Sequence, residues 1–348
     1  MISSTVFIIN SPLHYLYCLS ILKTIEKNDN YIILWFGKLP IENHFPKSDI
    51  IKEYNVIDLS HFDFNHYSGY KKNYTNFIEL IKINVERIDY LFTCFDTHYG
   101  FEVLRNHFSV SWSHVGIIED GIGNYFPNRM PKLRRQLPKA IINKLRFSFF
   151  LNVSRLNLGG NPKIGIVSAL CPEHVYLHKD SKAEVLDIRR SFIEIINNYD
   201  MQAPAIYSSA DVIFFLSAVL YYKRMTSGEL IAFLEWVKSH NQISRFDNFV
   251  LKPHPREDLI QLKRIIKENF NNEIKVADNS PIEIYTKSIS PKVLAGMPST
   301  AILNHYLLNK NNETKYMLFP IRGLKFLDEQ INVFKKIFLD NISLSYYN

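Results

Sequence analysis

The sequence predicts an α/β protein made of two domains of similar size, because three observations agree. Short apolar runs alternate with amphipathic stretches along the 348 residues, as in strands joined by helices. The runs are continuous rather than alternating apolar with polar, which indicates parallel strands covered on both faces. The pattern restarts after a polar, irregular stretch, 197–209. We therefore predict one domain at 1–200, a second at 210–322, and a C-terminal helix at 323–348 that packs back on the N-terminal domain.

The first half contains apolar runs short enough to be strands, separated by stretches with apolar residues at helical spacing. The predicted strands are 6–9, 31–36, 56–59, 90–92 and 115–118, and the predicted helices are 12–26, 76–87 and 102–108.

The second half repeats this alternation, with one helix that starts at a proline. Pro281 suits a first helical turn, where the N–H that proline lacks would have no helical partner. The predicted strands are 211–217, 249–251, 274–276, 293–295 and 316–319, and the predicted helices are 227–240, 258–269, 281–288, 299–308 and 324–339.

Composition and charge exclude several classes of protein. Three widely spaced cysteines form neither a disulfide framework nor a metal-ligand pattern, which favours a reducing compartment. The net charge of +7 favours an anionic partner, whether phosphate, nucleic acid or a membrane surface. The most apolar stretch, 212–222, falls short of the roughly 20 residues of a membrane-spanning helix. The first residues lack the basic start of a signal peptide. We therefore expect a cytoplasmic protein.

An acidic pair followed by glycine, Glu119-Asp120-Gly121, comes directly after a predicted strand. Two neighbouring carboxylates resist joint ionisation, so one of them can act as a general base. The alternative is a tight turn in which Asp120-Gly121 supplies the unusual backbone angles and Glu119 is solvated. The motif alone leaves both interpretations open.

In the second half, Lys252-Pro253-His254-Pro255 also follows a predicted strand. The two prolines fix the backbone around one imidazole, which could bind a phosphate or donate a proton. The alternative is a rigid strand-to-helix turn with His254 exposed by chance.

A third segment, 296–300, joins a predicted strand to a helix and ends in Ser299-Thr300. Hydroxyls, unpaired backbone N–H groups and the positive end of the helix dipole meet there, which is typical of an anion site. Helix capping alone is the alternative. Glu283, near the start of the helix after Pro281, is either a partner of that helix dipole or a ligand for ribose hydroxyls.

Together these motifs resemble the bacterial sialyltransferases of the GT-B fold, the group that builds sialylated lipooligosaccharide and capsular polysialic acid. That group shares an acidic pair followed by Gly, a His-Pro and a Ser-Ser/Thr, in the order in which this chain has Glu119-Asp120-Gly121, His254-Pro255 and Ser299-Thr300. The segment 7–13, Phe-Ile-Ile-Asn-Ser-Pro-Leu, also looks like the first strand and turn of this group. The resemblance implies two Rossmann-like domains that face a central cleft.

The resemblance implies inverting transfer of sialic acid from CMP-sialic acid to a sugar hydroxyl of a bacterial surface glycan. Glu119 would take the acceptor proton with support from Asp120. His254 would contact the CMP phosphate and could also protonate it as it leaves. Ser299 and Thr300 would hold the phosphate oxygens and Glu283 the ribose, and Gly121 and Pro255 would belong to the substrate-binding residues. A phosphate leaving group mainly needs its growing charge stabilised. The sequence contains no Asp-x-Asp, so we expect neither a metal nor another cofactor.

Other functions compete with this interpretation. The donor could carry another CMP-linked acid, such as legionaminic acid, pseudaminic acid or Kdo. A nucleotide-sugar epimerase of the same architecture would also use carboxylates and a histidine, but it would need no acceptor. A nucleic-acid binder is disfavoured, because no such motif is present and the aromatic residues fall mainly in predicted strands and helices.

A basic segment, 129–146, contains seven Lys or Arg residues and no acidic one. On a helical wheel four of the basic residues share one face (Lys132, Arg135, Lys139 and Arg146) and four apolar residues share another (Leu133, Leu137, Ile141 and Leu145). This pattern is typical of peripheral contact with the anionic inner face of a bacterial membrane. Pro138 interrupts any single helix in this segment. A solvated face and a groove for an anionic acceptor are the alternatives.

Overall fold

The apolar runs of the first half form a parallel sheet in the computed structural model. The structure describes residues 3–25, 30–37, 41, 55–60, 70–94, 99–119, 125, 163–177, 179–198, 202–278, 281–286, 288–309, 313–322, 327–339 and 341–347. The chain divides into two units, Met1–Ile195 and Ile196–Asn348. This division falls slightly before the segment at which the sequence predicted a boundary.

In the first unit, the described residues form a seven-stranded parallel sheet in the order β3-β2-β1-β4-β5-β6-β7. The strands are β1 (Ser3–Ile9), β2 (Tyr31–Trp35), β3 (Val56–Asp58), β4 (Arg87–Thr93), β5 (Val115–Ile117), β6 (Ile166–Ala169) and β7 (Glu184–Asp187). The helices are α1 (Pro12–Ile25), α2 (Tyr70–Asn84), α3 (Tyr99–His107) and α4 (Arg189–Asn198). The sequence analysis found the first five strands and missed β6 and β7.

Aromatic packing holds the centre of this sheet together. The rings of Phe7 and Phe92, on neighbouring strands, stack with their centroids 5.1 Å apart. Gly116 of β5 lies against the Phe92 ring, and a Cβ at position 116 would come within 2.1 Å of it. A larger residue would therefore push β5 out of the register that carries the chain to Glu119.

In the second unit, the described residues form a six-stranded parallel sheet in the order β10-β9-β8-β11-β12-β13. The strands are β8 (Val212–Phe215), β9 (Phe249–Lys252), β10 (Ile274–Val276), β11 (Val293–Gly296), β12 (Lys315–Leu318) and β13 (Ile342–Leu344). The helices are α5 (Ala205–Ser208), α6 (Ser227–Ser239), α7 (Leu259–Phe270), α8 (Thr300–Leu308) and α9 (Leu327–Phe338), with a 3-10 helix at Ile282–Tyr285. This is the Rossmann strand order, in which ligands bind beyond the carboxyl ends of the strands beside the central crossover.

The described part of the C-terminal segment, which was predicted as a helix packing back on the N-terminal domain, belongs to the second unit and contains a strand as well as a helix. Helix α9 belongs to the second unit, where the ring of Phe338 stacks on Tyr306 at 4.0 Å. The chain then adds β13 to the second sheet, pairing Leu344 with Leu318. The Phe338 ring also meets Tyr316 of β12 at 5.3 Å, and the three-residue strand after α9 is too short to be recognised from its pattern. Among the helices of the described ranges, none is long and apolar enough to span a bilayer.

Candidate functional site

Three strands of the second sheet end side by side, and the loops after two of them, β9 and β11, carry His254 and Ser299. Phe215, the last residue of β8, pairs with Lys252 of β9 on one side and with Gly296 of β11 on the other. Because neighbouring strands lie about 4.8 Å apart, the ends of β9 and β11 are separated by about 10 Å. The structure therefore brings the His254 loop and the Ser299 loop to opposite sides of one strand end.

Gly296 makes the turn that leads into the Ser299 loop. Its φ of +154° is rarely adopted by residues with a side chain, and a Cβ there would lie 2.4 Å from the carbonyl oxygen of Phe215. The next residue, Met297, donates its N–H to that same carbonyl oxygen at 3.1 Å. Glycine thus lets the chain pass close over the end of β8.

Ser299 is the N-cap residue of α8, but its side chain makes no capping hydrogen bond. The Oγ atom is buried and has no hydrogen-bond partner among the described residues. Capping serines normally accept an N–H from the first helical turn, and a buried hydroxyl without a partner is unfavourable. Since Thr300 is the first residue of α8, this buried hydroxyl stands at the positive end of a helix dipole, where an anion would satisfy it.

His254 is half-buried, and one of its ring nitrogens is already engaged. Its Nδ1 accepts the backbone N–H of Arg256 at 3.1 Å. Burial and the charge of Lys252 lower the pKa of His254, which favours a neutral ring. A neutral ring whose Nδ1 accepts must carry its proton on Nε2. His254 is therefore suited to donate a hydrogen bond from Nε2 to an anion.

Lys252 is a residue of this site that sequence reasoning did not single out. It is only 5% exposed, and its ammonium donates to the carbonyl oxygen of Asp278 at 2.7 Å. Burial lowers the pKa of Lys252 to about 8, although the charges of Asp278 and Glu283 oppose this shift. The available signal was a lysine at the last position of an otherwise apolar strand.

Glu283 is buried on the 3-10 helix, and its Oε1 accepts from the side-chain amide of Asn304 at 3.2 Å. Burial raises the pKa of Glu283, while the hydrogen bond from Asn304 and the charge of Lys252 act in the opposite direction. Because Asn304 lies on α8, the carboxylate of Glu283 is connected to the helix that Ser299 begins. A buried carboxylate held in this way can accept hydrogen bonds from the hydroxyls of a ligand.

Tyr207 is a second residue that the sequence analysis missed. Its ring packs on Tyr285 with centroids 5.9 Å apart, and its buried hydroxyl has no hydrogen-bond partner in the described part of the chain. Burial, followed by the charges of Asp278 and Glu283, raises the pKa of Tyr207. The irregular sequence around Tyr207 gives no sign that this side chain is buried, because its burial depends on the fold.

Glu119 lies in the first unit, two residues beyond the end of β5, and is fully buried. The Tyr125 hydroxyl donates to its Oε1 at 2.6 Å, and the Leu170 backbone N–H donates to its Oε2. The Glu119 N–H donates to Ser168 Oγ at 3.1 Å. Burial and the neighbouring charge of Glu119 raise the pKa of Tyr125. The carboxylate is thus held in one orientation by Tyr125 and Leu170, which follow β5 and β6, while Ser168 of β6 holds the backbone of Glu119.

Some of the predicted residues lie outside the part of the chain that the structure describes. Asp120, Gly121 and the basic segment 129–146 lie outside the described residues. Of the remaining predicted residues, Glu119 belongs to the first unit and the others belong to the second unit, which carries His254, Pro255, Glu283, Ser299 and Thr300.

A comparison with protein families gives one match, to the alpha-2,8-polysialyltransferase (POLYST) family, over residues 5–318. This range includes all the motifs described above. No curated protein gives a significant match.

Two solved structures that contain UDP resemble this chain over nearly its whole length. The UDP-GlcNAc 2-epimerase of Methanocaldococcus jannaschii in complex with UDP-GlcNAc and UDP is 14% identical, with a TM-score of 0.53, and the match covers 99% of this chain and 89% of that one. The MnaA protein of S. aureus with UDP is 11% identical, with a TM-score of 0.53 and coverages of 98% and 88%. Identities this low establish the fold alone. They confirm the predicted class, two Rossmann-like α/β domains of the GT-B type.

Proposed function

The chain belongs to the alpha-2,8-polysialyltransferase family, and on that premise we propose that it transfers sialic acid from CMP-sialic acid to a sugar hydroxyl of a bacterial surface glycan, with inversion at the anomeric carbon. The coarser statement, that it is a glycosyltransferase of the sialyltransferase type, follows from the family. The observation that best supports the finer proposal is the buried hydroxyl of Ser299 at the start of α8, which has no hydrogen-bond partner within the described ranges.

The proposal assigns the CMP phosphate to the space between the His254 and Ser299 loops. The Ser299 and Thr300 hydroxyls and the first N–H groups of α8 would donate to phosphate oxygens from one side. His254 would donate from Nε2 on the other side. These donors are held by the fold before any ligand arrives, so they would stabilise the charge that grows on the leaving phosphate without rearranging.

Glu283 would accept hydrogen bonds from the ribose hydroxyls of the donor. Its contact with Asn304 at 3.2 Å keeps the carboxylate oriented relative to α8. A carboxylate is the usual partner of ribose hydroxyls in Rossmann-type nucleotide sites. In this arrangement the ribose and the phosphate of the nucleotide would both be bound by α8 and the 3-10 helix connected to it.

Glu119 would act as the general base that takes the proton of the acceptor hydroxyl, with Asp120 in support. The Tyr125 hydroxyl and the Leu170 N–H fix the plane of the Glu119 carboxylate. A fixed orientation of the carboxylate is what proton transfer to a general base requires. The phosphate charge would be stabilised by hydrogen-bond donors of the chain and by the dipole of α8, so activity should survive EDTA.

A thermal-shift screen tests the donor proposal. Binding to the native state raises the melting temperature in a concentration-dependent way, so CMP should raise it while UDP, GDP and ADP should not. A shift with UDP alone would favour an epimerase-like function over a sialyltransferase. Release of CMP from CMP-sialic acid should then depend on an added glycan acceptor, and CMP-linked legionaminic acid, pseudaminic acid and Kdo should be compared as donors. Release without any acceptor would contradict transfer.

A further inference from the structure

Two exposed tyrosines and two exposed arginines form a cluster beside the His254 loop. The tyrosine–arginine cluster consists of Tyr221, Tyr222, Arg224 and Arg256. The Tyr221 and Tyr222 rings meet edge to face at 5.0 Å, and Tyr222 is 46% exposed. The guanidinium carbons of Arg224 and Arg256 lie 5.2 and 5.7 Å from the centre of the Tyr222 ring. One exposed ring is thus flanked by two cations.

The two loops that carry this cluster are tied together beneath it by Glu257. This buried carboxylate accepts the N–H of Leu220 at 2.9 Å and the N–H of Tyr221 at 3.1 Å. It therefore connects the loop after β8 to the loop after β9. The cluster stands on a fixed base rather than on independently moving loops.

The charge of the cluster is not neutralised by acidic residues of the described chain. Neither Arg224 nor Arg256 forms an ion pair with a described carboxylate. Glu257, which directly follows Arg256 in sequence, points inward to backbone N–H groups. Arg256 also contacts the Tyr222 hydroxyl and shares its loop with His254 through the N–H bond to Nδ1. Two unneutralised guanidinium groups therefore stand next to the site assigned to phosphate.

A carboxylated sugar has the chemistry that such a surface would recognise. Guanidinium groups bind carboxylates in paired, charge-assisted hydrogen bonds. The C–H face of a sugar ring packs on an exposed aromatic ring, and aromatic side chains commonly line ligand sites. A bare phosphate would use the arginines but would leave the two tyrosines without a role.

We propose that the tyrosine–arginine cluster binds a carboxylated sugar, either the sugar of the donor or the terminal sugar of an acidic acceptor. This inference rests on the proposed function, because it takes the sugar that is transferred or extended to be sialic acid. It adds a subsite on the second unit to the phosphate and ribose contacts described above.

The experiment compares three variants: Arg224→Gln with Arg256→Gln, Tyr222→Leu, and the control Arg245→Gln. Arg245 is also exposed and lies over an aromatic ring, Phe246, at 4.9 Å, but it precedes β9 and so lies at the opposite edge of the sheet. In the donor arm, dissociation constants are measured for CMP and for a non-transferable 3-fluoro analogue of CMP-sialic acid. In the acceptor arm, binding is measured for 3′-sialyllactose and for lactose.

If the cluster binds the donor sugar, the double arginine variant should raise the dissociation constant of the CMP-sialic acid analogue at least about tenfold relative to that of CMP. A change of this size is expected for the loss of charged hydrogen bonds. If it binds the acceptor sugar, the same variant should weaken the binding of 3′-sialyllactose relative to that of lactose and leave the affinity for the donor analogue unchanged. Tyr222→Leu should follow whichever pattern the arginines show. Arg245→Gln should change neither ratio.

Two results would overturn the inference. An equal loss of CMP and its sugar-bearing analogue would assign the arginines to phosphate, and unchanged ratios in both arms would leave the cluster without a ligand. Failure of the proposed function looks different, because the wild-type protein would then bind neither CMP nor the analogue. The comparison of 3′-sialyllactose with lactose still tests the cluster in that case. Ratios between paired ligands also remove any general effect of a variant on folding.

Discussion

The backbone N–H of Arg256 donates to Nδ1 of His254 at 3.1 Å, and this contact decides what the imidazole can do. The proton of the neutral ring must lie on Nε2, so the ring offers one donor to a ligand. Protonation of Nδ1 would break the contact, and the lowered pKa of His254 disfavours it. The geometry therefore suits hydrogen bonding to a phosphate better than delivery of a proton to it.

We expect His254→Gln to retain much more activity than His254→Ala. A glutamine amide can replace the Nε2 donor, but it cannot act as an acid. The alanine variant should lose both CMP affinity and turnover, because the contact to phosphate exists in the ground state and in the transition state. Steady-state kinetics and CMP titration of both variants make the comparison. Equal loss of turnover in the two variants would instead identify His254 as a proton donor.

Ser299→Ala should weaken CMP binding without destabilising the free protein. The Oγ of Ser299 has no partner among the described residues, so its removal takes away a buried polar group rather than a hydrogen bond. The matched control is Thr226→Ala, because Thr226 caps α6 by accepting the N–H of Glu229 at 3.2 Å. The control should lose about 1 kcal/mol of stability and keep its CMP affinity. Denaturation and CMP titration measure both effects, and a destabilised Ser299→Ala with normal CMP affinity would contradict the phosphate assignment.

Glu119→Gln should reduce turnover by orders of magnitude and leave CMP affinity nearly unchanged. Glutamine keeps the shape of the side chain but cannot accept the proton, and Glu119 belongs to the unit that does not carry the proposed CMP contacts. The comparison variant is Asp120→Asn, which should have the smaller effect. Near-normal turnover of Glu119→Gln together with an inactive Asp120→Asn would move the base to Asp120 and leave Glu119 as a buried anchor of Tyr125 and Leu170.

The sequence predicted where the polar motifs of the second sheet lie, because these motifs follow strands with clear apolar patterns. His254 and Ser299 were placed after the strands that became β9 and β11, and parallel strands necessarily bring such loops to one edge. The order of the motifs along the chain and the rule that parallel strands end at one edge of a sheet were sufficient to place these two loops near each other. This part of the candidate site required no knowledge of tertiary contacts.

The residues that escaped prediction are those whose role depends on burial. Lys252 and Tyr207 are a lysine and a tyrosine of ordinary appearance until the fold removes them from water. The strand β13 has three residues, which no periodicity can distinguish from the end of a helix. Strands β6 and β7 have four residues each, and half of the positions in each are polar or small, so their apolar signal is weak.

His305 should make the protein less stable as the pH falls. Burial lowers the pKa of His305 to about 4, its Nδ1 lies 2.9 Å from the Tyr316 hydroxyl, and its Nε2 has no partner among the described residues. The unfolded chain, with a histidine pKa near 6.5, then binds more protons than the native state between these values. The contribution of neutral His305 to the free energy of unfolding is complete above pH 6.5 and is lost as the pH falls through 4.

Urea denaturation at pH 7.5 and pH 5 checks this prediction. Removing the titrating group in His305→Gln should reduce the acid-induced loss of stability by about 2 kcal/mol at pH 5. The control, His114→Gln, changes an exposed histidine of the first unit and should leave the loss as it is in the wild type. A wild-type pH dependence that persists in His305→Gln would assign the acid sensitivity to other groups.

The basic segment 129–146 should govern attachment to anionic membranes, although its place in the fold lies outside the described residues. Lys and Arg near an anionic surface each contribute about 1 kcal/mol, and salt screens this attraction. Binding to liposomes that contain phosphatidylglycerol should therefore fall as salt rises. A variant with four of these charges neutralised should be released from such liposomes while still transferring sialic acid to a short soluble acceptor; the four are Lys132, Arg135, Lys139 and Arg146.

A variant of equal charge change separates a local effect from a general one. Four exposed basic residues on and after α7 provide it, namely Lys263, Arg264, Lys267 and Lys275. Neutralising them lowers the net charge by the same amount, so retained liposome binding would show that the segment 129–146 and not the total charge attracts the membrane. Equal release of both variants would contradict a localised contact. Loss of transfer to the soluble acceptor only in the 129–146 variant would instead assign the segment to acceptor binding, since an anionic acceptor would meet the same charges in the absence of lipid.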